Sequence, residues 1–436
     1  MKTSILTALL SLAFFLLHVA LPAPLGYHRD ELLYLALGRR PDFGFWSNPP
    51  MIGALSWFSQ FFLGDSVFAT RLFPALAGTL LVYLTLRTVQ LLGGGNKSVL
   101  ITGVAMIASV AWQRAFTMLQ PVPFDILCWG ALSLLLVRWL HAPGKFDWLW
   151  IGLVAGLGML NKYTLVFWAA ALFVALLLNG RWRILLTKDP WIALAASVAV
   201  FTPNLIWQYL HHWPVAAHMQ ELAESQLQNV QPMQFLTDQL LMHGVGLFVW
   251  LPGLLFLLLH PRMQSFRLLA WFFMALLGVF LLANGKSYYT LGAFPVLFAA
   301  GGVCYEHYLK PRWAIATAMV FIGLLALPLA PAGKPIWAAP KLSKYFQHPA
   351  LEGGLRWEDG KIHALPQDYA DMLGWPEMAA LATKALKIHG QTDDIMIYAE
   401  NYGQAGAVEL LGKPPVPVCS FSDSYRLWAP EYLPPG

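Results

Sequence analysis

The sequence predicts an α-helical polytopic membrane protein of about eleven transmembrane helices with a small C-terminal α/β domain. Three observations predict it. Of the 436 residues, 58% are hydrophobic and 12% are charged, whereas a soluble domain carries about 25% charged residues. Apolar runs long enough to cross ~30 Å of hydrocarbon recur through the first three-quarters of the chain. Beyond about residue 332 the composition switches to Pro, Gly and charge. The division expected is therefore 1–331 in the membrane and 332–436 in water.

Hydropathy and helix breakers place spans near 4–22, 66–91, 98–112, 123–140, 147–160, 163–179, 190–207, 244–260, 267–283, 288–305 and 312–330. The first run, from Met1-Lys2 to about Ala20, also has the outline of a cleaved signal peptide, with Leu-Pro-Ala-Pro behind it. It is equally long enough to span, and we read it as the first membrane helix. Basic residues orient the chain. With the N-terminus inside, the cytoplasmic face collects Lys2, Arg87, Lys97, Arg138, Lys145, Arg181, Arg183, Lys188, Arg262, Arg267, Lys310 and Arg312. The opposite face, tail excluded, holds Arg29, Arg39, Arg40, Arg71, Arg114, Lys162 and Lys286. The bias obeys the positive-inside rule, and an odd number of spans puts the tail outside the cytoplasm. The net charge of +5 thus reports loop topology. No basic stripe with interleaved aromatics is present, so nucleic acid is not an expected partner.

Two outer loops are long. In 23–65, Phe45-Trp46-Ser47-Asn48-Pro49-Pro50 reads as a turn, and Met51 to Leu63 is apolar but too short to span, so it should lie along the interface. The second, 208–243, rich in Gln, His and Glu, reads as a helix on the outer surface. In the tail, Trp375 to Ile388 has helical spacing and 393–399 looks like a buried strand. No internal repeat is visible, so the sequence signature of an inverted-repeat transporter is lacking. Gly152 and Gly156 form a GxxxG spacing suited to helix packing. Of the three cysteines, Cys128, Cys304 and Cys419, only the last lies in the tail, which excludes a disulfide framework there.

The chemistry-bearing residues gather at outer helix mouths. Tyr27-His28-Arg29-Asp30-Glu31-Leu32-Leu33-Tyr34 puts adjacent carboxylates beside an Arg in apolar surroundings. A solvated loop with a local ion pair is one reading; a crevice whose carboxylate acts as a general base or holds a divalent cation is the other. Asp125 starts the fourth span, either as a helix cap or as a second site carboxylate. Lys162 and Lys286 also lie at outer helix ends. Snorkelling explains either alone, but with Arg29 they form a candidate phosphate site on the face that carries the carboxylates. Gly93-Gly94-Gly95-Asn96-Lys97-Ser98 has the look of a phosphate loop but lacks the Gly before Lys and a preceding strand. The His211-His212 pair is better read as exposed loop than as a metal site.

Taken in order, Asp30-Glu31-Leu32-Leu33-Tyr34-Leu35-Ala36-Leu37-Gly38, Asn48-Pro49-Pro50, Gly64-Asp65-Ser66 and Arg71-Leu72-Phe73-Pro74-Ala75-Leu76 resemble the start of the family 39 glycosyltransferases. These are membrane enzymes of the GT-C fold that include protein O-mannosyltransferases and lipid A aminoarabinose transferases. Residues 156–164, 203–208 and 286–289 are similar to its bacterial members, and 401–407 and 424–430 to their extracytoplasmic domain. The resemblance implies transfer of a sugar from a polyprenyl-phosphate donor to a lipid, glycan or protein acceptor on the outer face of a bacterial inner membrane, with inversion. It places catalytic carboxylates at Asp30, Glu31 and Asp125, with Asp30 as base or acceptor-orienting carboxylate. It places donor phosphate binding at Lys286 and Tyr289, to which the residues themselves add Arg29 and Lys162, and acceptor or other site contacts are expected at Tyr34, Asn48 and His243. A divalent cation, if used, would sit on Asp30 and Asp125. Two departures stand out. Relatives commonly have His or Lys where this chain has Asn48, and they usually continue beyond Trp428-Ala429-Pro430, so an abbreviated outer domain is expected. The alternative function is a transporter or flippase of a lipid-linked sugar, which would need charges near helix centres rather than at their mouths.

Overall fold

The computed structural model describes residues 2–21, 24–389 and 395–430. The membrane region runs through α1 (Thr3–Ala20), α2 (Arg29–Arg39), α3 (Met51–Leu63), α4 (Val67–Leu91), α5 (Asn96–Ala108), α6 (Val110–Ala115), α7 (Pro121–His141), α8 (Asp147–Met159) and α9 (Leu165–Leu178). It continues through α10 (Asp189–Leu210), α11 (Pro214–Ser225), α12 (Pro232–Leu241), α13 (Leu247–Leu259), α14 (Arg267–Leu282), α15 (Phe294–Tyr308) and α16 (Arg312–Ala326). Every predicted span falls on helix. Among the described residues, seven helical stretches are long and apolar enough to cross alone, and an eighth forms if the α12–α13 pair, bent by 84°, is one span. The other predicted spans correspond to the shorter apolar helices α5, α8 and α9. The chain is a multi-pass membrane protein.

Local chemistry explains the boundaries. Ser66 Oγ accepts the Ala69 N–H at 3.1 Å and starts α4. Pro121 occupies the first turn of α7, where its missing N–H costs nothing. The predicted span 98–112 is interrupted at Ser109, which ends α5 and caps α6 through the Trp112 N–H. Small residues let helices touch. Gly152 and Gly156 of α8 lie against Ala193, Ser197 and Val200 of α10, so the GxxxG spacing does serve packing. Gly253 of α13 and Gly301 of α15 face each other's backbones in the same way.

Both outer loops carry the predicted features. The Met51–Leu63 stretch is α3, and it leaves Trp57, Phe58, Phe61, Phe62 and Leu63 exposed, a face suited to the interface. The second loop forms two helices, α11 and α12, rather than one.

The C-terminal region holds α17 (Ala330–Gly333), α18 (Ala339–Phe346), α19 (Gln367–Ala370), α20 (Trp375–His389), β1 (Ile397–Tyr398), α21 (Tyr402–Ala407) and β2 (Val418–Cys419). The strands pair in parallel with Ile397 opposite Val418 and Tyr398 opposite Cys419. The strand expected over 393–399 is thus two residues long here, and 393 and 394 lie outside the described residues. The helix expected over 375–388 is present as α20. Lys334 anchors the region to the membrane bundle. Its buried ammonium donates to the carbonyls of Leu17, His18 and Leu21, the last turn of α1 and the residue after it.

Candidate active site

A cavity of about 310 Å³ lies where α2, the N-terminal ends of α7 and α9, the middle of α11 and the C-terminal region converge. Asp30, Tyr34, Asn48, Lys162, Lys286 and Tyr289 all line it, so six of the sequence-predicted residues meet in one place. Its remaining wall is largely apolar, including Leu33, Val122, Phe167, Met219, Leu222 and Phe280.

Asp30 stands in the first turn of α2, where a helix N-terminus favours negative charge. Its Oδ1 accepts the Tyr402 hydroxyl at 2.8 Å and faces Arg29 Nε at 3.6 Å. No hydrogen bond reaches Oδ2 from the described residues; His28 Nδ1, which accepts the Asp30 N–H, lies 3.9 Å from it.

Glu31 is a correction to the sequence reading, which paired it with Asp30 as a catalytic carboxylate. Neighbours on a helix point about 100° apart, and Glu31 turns into the protein with no exposed surface. Its two oxygens accept from Arg71 Nε at 3.1 Å, Arg71 Nη2 at 2.8 Å, the His28 N–H at 2.9 Å and the Leu119 N–H at 3.0 Å. With His28 it forms a capping box that starts α2, and with Arg71 it ties α2 to α4. A carboxylate so saturated has no lone pair to offer a substrate.

Lys162 lies in the turn between α8 and α9 with its ammonium over the rings of Tyr289 at 4.6 Å and Tyr288 at 5.1 Å. Among the described residues no carboxylate comes within ion-pair distance of it. Lys286 differs: its ammonium is held by Glu358 of the C-terminal region and by the Gln226 side chain. Asp125 is buried and stands behind the cavity wall. Its oxygens accept Trp129 Nε1 and Thr164 Oγ1, each at 3.1 Å, and Thr164 itself lines the cavity. Arg29 is also off the wall, paired with Asp371 at 3.4 Å and lying 5.5 Å from the Tyr402 ring centre.

His243 is a second correction. It is fully buried, bonded to Ser109 Oγ at 2.7 Å and packed among Trp112, Phe294 and Phe298, away from the cavity. The cation expectation also meets no matching donor set. Among the described residues no three His, Cys, Asp or Glu side chains gather as a metal site, and Asp30 and Asp125 do not share a wall.

Among the cavity residues that the sequence reading did not assign are Tyr288, His218, Tyr402 and Asp423. Tyr288 was within reach, because it sits inside the Lys286–Tyr289 stretch. Tyr402 lies in the first turn of α21, capped by Asn401, whose Oδ1 accepts the Gln404 N–H at 3.0 Å. Burial, followed by the neighbouring Asp30 carboxylate, holds its phenol well above the ordinary tyrosine range, so it stays a donor. Asp423 reaches the cavity from a left-handed backbone position, φ 48°. Burial lowers the proton affinity of His218, against the pull of Asp423 and Glu221.

Comparison with known proteins fits this geometry. Residues 47–207 match the family described as dolichyl-phosphate-mannose-protein mannosyltransferase. The lipid A galacturonosyltransferase RgtD of Rhizobium johnstonii is 26% identical over 202 residues, 44% of this chain; the matched part spans 41% of that curated relative. The crystal structure of ArnT from Cupriavidus metallidurans bound to undecaprenyl phosphate superposes with a TM-score of 0.67 at 13% identity, covering 97% of this chain and 87% of that one. Its apo form gives 0.62 at 14% identity, over 95% and 85% of the two chains. The apo oligosaccharyltransferase of Archaeoglobus fulgidus gives 0.50 at 12% identity, over 96% of this chain and 64% of that one. The resemblance drawn from the sequence stands: the chain has the GT-C fold of the membrane glycosyltransferases.

Proposed function

We propose that the protein is a membrane glycosyltransferase that moves a sugar from a polyprenyl-phosphate donor to an acceptor on the outer face of the bacterial inner membrane, inverting the anomeric carbon. The observation that carries the reading is one cavity holding both kinds of group the reaction needs. Asp30 offers a carboxylate oxygen that no hydrogen bond from the described residues reaches, and Lys162 a cation with no carboxylate among them in ion-pair distance, within a largely apolar wall. The similarity to ArnT, solved with undecaprenyl phosphate, and to a lipid A galacturonosyltransferase supports a lipid-phosphate donor and an envelope lipid, glycan or protein as acceptor.

The chemistry follows from the leaving group. A lipid phosphate departs readily as an anion, so no strong acid is needed on that side. Asp30 takes the proton of the acceptor hydroxyl as its oxygen attacks the anomeric carbon, while the bond to the phosphate oxygen breaks on the opposite face of the sugar. Lys162 and Lys286 receive the charge that develops on the phosphate. Tyr288 and Tyr289 hold the Lys162 ammonium against their ring faces, and Asp125 orients Thr164 on the wall beside it. Tyr34 and Asn48 are left for the sugar and acceptor hydroxyls.

The test is release of free polyprenyl phosphate from a sugar-loaded donor by purified protein in detergent or proteoliposomes. Wild type is expected to release it when an acceptor is present. Asp30→Asn should fold and bind donor normally yet lose turnover. Near-normal turnover in that variant would remove Asp30 from the role of base.

A further inference from the structure

Resting on the transferase reading above, we infer that the C-terminal region supplies a positioning residue to the site: Tyr402 fixes the Asp30 carboxylate so that one oxygen is bound and the other is left for the acceptor proton. The two residues are 372 positions apart and belong to different parts of the molecule. The Tyr402 hydroxyl donates to Oδ1 at 2.8 Å, on the oxygen that also faces Arg29, while Oδ2 receives no hydrogen bond from the described residues. A carboxylate at the head of a helix can rotate about its last bond. A half-buried phenol on one oxygen removes that freedom and costs no rearrangement during the reaction.

The placement of Tyr402 is built, not incidental. Its helix α21 packs directly on α2: a Cβ on Gly406 would lie 3.0 Å from the backbone and side chain of Leu32, tighter than ordinary van der Waals contact. Gly403 beside Tyr402 faces the Arg29 side chain with no room for a Cβ. At the other end of α2, Arg40 pairs with Glu409 at 2.8 Å, and Glu409 accepts the Tyr425 hydroxyl at 2.7 Å. The element that carries Asp30 is therefore gripped by the C-terminal region at both ends.

The test separates the hydroxyl from the ring. Tyr402→Phe keeps the ring beside Arg29 and removes only the donor. In the polyprenyl-phosphate release assay kcat should fall about 10- to 100-fold, while the KM for donor and the thermal midpoint stay near wild type. Tyr402→Ala, which also removes the ring, should lower both kcat and the thermal midpoint. A purely packing role would leave Tyr402→Phe at wild-type kcat, and that result, with an active wild type, overturns the role of Tyr402 alone. A well-folded wild type that releases no polyprenyl phosphate from any donor overturns the transferase reading, and the role of Tyr402 with it.

Discussion

At the scale of single residues, adjacent carboxylates take unlike parts. Asp30 faces the cavity, whereas Glu31 holds α2 in place through Arg71 and two backbone N–H groups. Removing one partner of such a buried pair leaves the other charge uncompensated, at a cost of about 3–5 kcal/mol. Glu31→Ala should therefore lower the thermal midpoint and the yield of folded protein, an effect that thermal unfolding in detergent reads. The two lysines should also differ. Lys162→Met removes a cation that no described carboxylate pairs with and should weaken donor binding about 10- to 100-fold, the worth of a charge-assisted hydrogen bond. Lys286→Met should cost less, because Lys286 already has the Glu358 carboxylate as a partner. Equal losses in a donor-binding titration would contradict that ordering. The types of residue at the site were legible in the sequence, because charges at outer helix mouths in an apolar chain are costly and therefore informative. Which way each one faces was not. The capping box of His28 and Glu31 is a local signal that separates Glu31 from Asp30. No local signal places His243, whose burial among Trp112 of α6 and Phe294 and Phe298 of α15 depends on two distant elements.

At the scale of elements, α2 is the part on which the site depends. It is short, lies outside the long apolar runs, and is held by α4 through Arg71, by α3 through the close approach of Gly38 to Trp57, and by α21 through Gly406. Gly406→Val should force α21 away from α2. Hydrogen exchange across 29–39 and 402–412 should rise, and turnover should fall at least as far as in Tyr402→Phe. Unchanged exchange would mean that the contact is dispensable. Helix positions were readable because an apolar run of membrane length has few other uses. The break at Ser109 and the 84° bend between α12 and α13 were not, since both serve tertiary contacts: Ser109 bonds His243, and the start of α13 packs against α15. The C-terminal strands are two residues each, too short for a period of two to register.

At the scale of the whole molecule, a membrane bundle and a C-terminal region share one cavity. Tyr402 and Asp423 reach it from the end of the chain, and Glu358 meets Lys286 across the same junction. Such contacts join residues from 72 to 372 positions apart, which no reading of local pattern can supply. The arrangement requires the C-terminal region and the mouth of the cavity to lie on one side of the membrane, outside the cytoplasm if the basic-residue bias sets the topology. The most direct test of the account is a reconstituted reaction with purified protein, a sugar-loaded polyprenyl phosphate and membrane lipid extract, followed by mass spectrometry of both donor and acceptor. The account predicts free polyprenyl phosphate together with one acceptor class heavier by the sugar, both absent with Asp30→Asn. An intact donor that has only changed leaflets, with no acceptor gaining mass, would contradict it and make the protein a carrier of lipid-linked sugar.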